Sequence, residues 1–229
     1  MTRSKLERSL IQMAKKNIED PTLIENELEG LEEPVSIVVH FSGEDTEPME
    51  QVRARFDSIN ERFEKLSVKY VQEEGEPEDK VHHLVDHFPA YVVLDDKGND
   101  HGVRFYGAPL SGIYEAFIKT LLLVSGKASG IEEEYMEKLK ELKKTDLQVL
   151  VTPNAPNIQE TVMTAITLAY HSDSVTTSII DLIQFPDIAE QYEVLGIPKT
   201  VINEKQRYTG PFNLTDGIEI ITKDISDAE

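Results

Sequence analysis

Leu195-Gly196-Ile197-Pro198-Lys199-Thr200-Val201-Ile202, followed by Arg207-Tyr208-Thr209-Gly210, sets a proline at the mouth of a short apolar run and a glycine at the end of its hairpin. The same punctuation stands earlier in the chain. Asp86-His87-Phe88-Pro89 leads into an apolar run, Gly98 turns it, and Phe105-Tyr106-Gly107 ends the hairpin. A proline that opens a central strand removes a ladder donor and is uncommon. An X–Pro bond adopts cis at small cost. Two copies at equivalent places favour a cis proline at both Pro89 and Pro198 over a trans proline at a sheet edge.

Outward from these hairpins, hydrophobic periodicity gives one element order twice. In the first copy, 35–39 reads as a strand, 49–66 as a helix, 68–71 as a strand and 77–83 as a short helix. The hairpin of 89–95 and 103–106 follows, then an apolar helix at 113–124. After a Gly/Ser break at 125–130 and a charged helix at 131–144, the second copy begins. It reads as strand 147–152, helix 159–170, strand 175–182, short helix 186–192, hairpin 198–202 with 207–209, and helix 215–225. Unrelated halves rarely share such an order, so the chain reads as an internal duplication. The expected class is α/β, with domains at 1–125 and 126–229. Each is expected to build its own sheet, with central parallel strands and an antiparallel hairpin at the edge.

Composition narrows the function. A formal net charge of -20 on 229 residues repels phosphate backbones, and no basic face interrupts it, so no nucleic-acid partner is expected. Without cysteine, the chain has no disulfide, no thiolate metal site and no cysteine nucleophile. No apolar run approaches a membrane span. Residues 1–16 read as an amphipathic helix docked on the protein, carrying Leu6, Leu10, Met13 and Ala14, and no membrane partner is expected. Cytoplasm is the expected location.

Three stretches carry a resemblance: Gly102-Val103-Arg104-Phe105-Tyr106-Gly107-Ala108-Pro109, Val151-Thr152-Pro153-Asn154-Ala155-Pro156, and Phe185-Pro186-Asp187-Ile188-Ala189-Glu190-Gln191-Tyr192 running on to Ile197-Pro198-Lys199. Together they resemble the thioredoxin/glutaredoxin superfamily, and more closely its tandem protein disulfide oxidoreductases. The N-terminal tandem domain of the flavin-containing component of alkyl hydroperoxide reductase shares that layout. The resemblance runs from about Val35 to the C-terminus. It implies two tandem thioredoxin-like domains, each a mixed central sheet flanked by helices.

Such a family places a Cys-X-X-Cys pair where the first strand of a unit turns into its helix. There the helix end stabilises a thiolate, and the second cysteine resolves the mixed disulfide. The matching place in the second unit holds Ala155-Pro156-Asn157-Ile158, with Pro156 suited to the first helical turn. In the first unit it falls near Glu44 and Glu47. Neither site can exchange disulfides. What the resemblance leaves is the groove beside the prolines, where the backbone of Phe88-Pro89 or Ile197-Pro198 would pair with an extended segment. The expected function is a redox-inactive module that binds protein or an extended peptide, with a homodimer left open and no cofactor. The alternative is a thiol–disulfide oxidoreductase whose active-site cysteine at position 155 has been replaced.

Other constellations carry less. His83 and His87 have i,i+4 spacing beside His82, but histidines at a helix C-terminus are favoured without any metal, and no metal site is expected. The acid run at 73–79 reads as a solvated loop that feeds a helix N-terminus. The glycine-rich 107–112 lacks the Lys-Ser/Thr of a phosphate loop and reads as a turn opening a helix.

Overall fold

A computed structural model describes residues 24–42, 47–73, 83–127 and 131–226. The leading helix expected at 1–16, Glu44, residues 74–79 of the acid run and residues 77–82 of the short helix lie outside these. The first unit holds β1 (Val35–Ser42), α1 (Glu47–Arg62), β2 (Leu66–Glu73), β3 (Ala90–Leu94), β4 (Asp100–Tyr106) and α2 (Ser111–Val124). The second holds α3 (Glu133–Lys140), β5 (Thr145–Val151), α4 (Ile158–His171), β6 (Val175–Asp181), α5 (Pro186–Gln191), β7 (Lys199–Ile202), β8 (Gln206–Thr209) and α6 (Leu214–Ser226).

The strands read as continuous apolar runs because both faces of the sheet are covered. On β1, Val35, Ile37 and Val39 enter the larger core, while Val38 faces the smaller one. On β3, Tyr91 and Val93 go one way and Ala90 and Val92 the other. On β5, Leu147, Val149 and Val151 join the larger core and Leu150 the smaller. Helix α1 lays Met49, Val52, Phe56 and Ile59 into the larger core at helical spacing. Phe56 and Phe117 stack there at 5.5 Å, with Tyr91 and Phe105 edge-on around them.

Within each unit the two parallel strands and the antiparallel hairpin are as expected. The sheets are not separate. One eight-stranded sheet runs β2-β1-β3-β4-β6-β5-β7-β8. The first hairpin is therefore interior, and β4 pairs in parallel with β6 from Val103↔Thr177 to Tyr106↔Ile180. Strand β4 is apolar on both faces, with Val103 and Phe105 on one and Tyr106 on the other, so its outer edge is masked from water and finds its hydrogen-bond partners in β6. Helices α2 and α4 pack together over the join, and the larger core runs through both units. Among the described residues no helix is long and apolar enough to cross a membrane.

Candidate functional site

Strands β3 and β7 run against β1, β4, β5 and β6, so both begin at the end of the sheet where the parallel strands finish. The Phe88–Pro89 and Ile197–Pro198 bonds are both cis. The loops match in detail: Gly107 N–H donates to Pro89 O at 2.9 Å, and Gly210 N–H donates to Pro198 O at 2.9 Å. Phe88 packs against the smaller core, and Ile197 touches both cores. Among the described residues, the Ile197 N–H and C=O have no hydrogen-bond partner. Two residues before it, Leu195 is 100% exposed.

The turn that would hold the second redox pair runs from Thr152 to Asn157. Ala155 N–H donates to Thr152 O at 3.1 Å, and the Ala155 side chain packs on the larger core. Pro156 does not open the helix. Asn157 takes a left-handed φ of 60°, which interrupts the turn, and α4 begins at Ile158. Ile158 is 2% exposed and belongs to the core. Helix α2 of the first unit closes over this turn: Gly112 N–H donates to Pro153 O at 3.1 Å, and Gln159 Nε2 donates to Gly112 O at 2.5 Å. A Cβ on Gly112 would lie 3.1 Å from both Ile158 Cδ1 and Pro153 O, so the close approach depends on glycine. In the first unit, Glu44 is outside the described residues and Glu47 is the first residue of α1.

The histidines do not converge. His83 Nδ1 lies 2.8 Å from His40 Nε2 on β1, whereas His87 Nδ1 lies 2.7 Å from Asp86 Oδ1; His82 is outside the described residues. Its hydrogen bond to Asp86 holds the His87 pKa above the usual histidine value, and the same bond holds Asp86 below the usual carboxylate value. The His87 ring stands edge-on to Tyr106 and Phe185, at 5.6 Å from each.

Two residues at this end of the sheet escape a reading of the sequence for chemistry. Asp181 ends β6 and is 1% exposed. It accepts from Ile183 N–H at 2.9 Å and from Gln184 Nε2 at 2.6 Å. Gln184 in turn grips the first unit, accepting from Ala108 N–H at 2.8 Å and donating to Ala108 O at 3.2 Å. The signal for Asp181 was one acid inside the apolar run Ile179-Ile180-Asp181-Leu182. Gln184 had no such signal, because its partners come from the other unit.

Paired proline-led hairpins, each at the end of a β-α-β unit and without cysteine, define a tandem thioredoxin-like protein stripped of its redox sites. The comparisons agree. Residues 131–223 match the thioredoxin domain family, which places the second unit within the thioredoxin-like superfamily by sequence. The fold of the whole chain is that of the alkylhydroperoxide reductase AhpF from Enterococcus faecalis, at TM-score 0.80 and 18% identity, over 87% of this chain and 96% of that one. It is equally that of a protein disulfide oxidoreductase from Aeropyrum pernix, at TM-score 0.78 and 20% identity, over 91% of this chain and 95% of that one. A curated protein named NADH dehydrogenase, from Ferdinandcohnia aciditolerans, is 22% identical over 114 residues. That match takes in 49% of this chain and spans only 22% of the relative's length.

Proposed function

We propose that the chain is a redox-inactive thioredoxin-like module that holds an extended protein or peptide segment against the backbone of Ile197. The observation that carries this reading is the unpartnered Ile197 N–H and C=O, beside a fully exposed Leu195. An extended segment would donate to one and accept from the other, as an added strand does at a sheet edge, and would cover the Leu195 side chain. The complete lack of cysteine leaves the binding without a covalent step. With a net charge of -20, segments of neutral or basic character are favoured over acidic ones.

A displayed library of random dodecapeptides, selected on the full chain and checked by fluorescence anisotropy, tests the reading. Leu195→Asp should weaken the selected peptides by about tenfold. The thermal midpoint should be unchanged, because Leu195 supports nothing in the fold. Selected peptides that bind Leu195→Asp as tightly as the parent would place the binding surface elsewhere.

A further inference from the structure

The carboxyl group of Asp181 sits where β4 and β6 join the two units, buried with only neutral donors for company. Gln184 cannot turn its amide over. Its Oε1 takes the Ala108 N–H, and its Nε2 serves both Ala108 O and Asp181 Oδ2. Asp181 therefore sets the orientation of the one side chain that clasps the loop entering α2. Gly107 admits no slack beside it, since a Cβ there would lie 2.7 Å from Gln184 Nε2 and 3.2 Å from Asp181 Cβ. The loop continues to Gly112, whose backbone covers the turn containing Ala155.

We propose that Asp181, Gln184 and Ala108 form a proton-controlled latch between the two units, tightened when Asp181 is protonated and loosened when it is ionised. A neutral carboxyl still accepts both N–H groups, one on its carbonyl oxygen and one on its hydroxyl oxygen. It also sheds the cost of holding a dry, unpaired charge. Burial pushes the Asp181 carboxyl up to about 6, against the hydrogen bonds of Gln184 and Ile183, which pull it down. In an opened latch, water would return the group to the ordinary carboxylate range. The closed form thus binds the proton more tightly than the open form. Acidification from neutral pH through about 6 closes the latch, and a rise in pH opens it.

The other titratable groups at this end of the sheet come from four directions. Tyr106, at the end of β4, is held neutral by burial and is hydrogen-bonded to Asp86. His87 approaches from the loop before β3, already paired with Asp86. Lys199 of β7 donates to Tyr192 O and Glu193 O at 2.8 and 3.3 Å. Helix α5 contributes Asp187 and Glu190. His87 is the one neighbour that also titrates near neutral pH, so it is the control. The latch does not depend on what binds at Ile197.

Hydrogen exchange of the full chain, read by mass spectrometry at about pH 5 and about pH 7.5 and corrected for intrinsic chemical rates, tests it. Protection across residues 107–112, relative to β1, should be about tenfold lower at the higher pH. Asp181→Asn should abolish that difference, and His87→Gln should preserve it. A wild-type difference below about twofold, or one that survives in Asp181→Asn, would overturn the latch. Should Asp181→Asn fail to fold, the wild-type Asp181 carboxyl carbon can be titrated by NMR. A midpoint near 6 supports the latch, and one near 4 overturns it.

Discussion

Gly107 has φ +91° and lies against Gln184 and Asp181, so both its backbone and its surroundings demand glycine. Gly107→Ala should lower the unfolding free energy by about 2–4 kcal/mol, from the strained φ and the overpacked contact together. Urea denaturation followed by circular dichroism measures this, and a loss under about 1 kcal/mol would mean that the junction yields easily. At this scale the sequence was partly legible. Gly107 announced itself as the glycine that ends the first hairpin, and Pro89 and Pro198 as the residues that open the strands. The Gln184 clasp was invisible, because an amide side chain carries no pattern until its partner is placed opposite it. Position 158 could be aligned to the family's second cysteine, but its burial could not be foreseen. A single isoleucine after a turn suits the rim of a core as well as its interior.

Elements docked by charge add a second kind of stability. The short 3-10 turn Asn26–Gly30 is pinned by Glu25, which is 4% exposed. Glu25 accepts from Arg55 Nε at 2.9 Å and Arg62 Nη1 at 2.6 Å on α1, and from the Tyr114 hydroxyl at 2.9 Å on α2. Lys65 strengthens the join by donating to Leu31 O and Glu32 O. Glu25→Ala strips all three donors of their acceptor and should cost about 2–3 kcal/mol, discounted for the partly exposed arginines. The loss should appear in the same denaturation assay, together with faster hydrogen exchange over residues 24–31. Helix positions followed the 3.6-residue apolar period well, as in α1 and α2. The start of α4 did not. Pro156 favours a first helical turn, but the left-handed Asn157 delays the helix until Ile158 can reach the core.

For the whole molecule, the joined sheet matters more than the duplication that built it. Because the larger core and the β4–β6 ladder pass through both units, the chain should unfold in one cooperative transition. Calorimetry should give a van't Hoff enthalpy equal to the calorimetric one. Two resolved transitions would favour the independent domains 1–125 and 126–229 expected from the sequence. The β4–β6 pairing was not legible, because local periodicity fixes which face a residue takes but not which strand lies at its edge. The same joined sheet limits how the two proline-led hairpins can act together. From β3 to β7 the order passes through β4, β6 and β5, which makes four strand-to-strand steps. Neighbouring strands rotate by about 20–25° with a fixed hand, so β7 lies about 80–100° away from β3. The two hairpins share one end of the sheet but point nearly at right angles to one another. A straight segment aligned with one therefore crosses the other, and a partner that engages both has to bend between them.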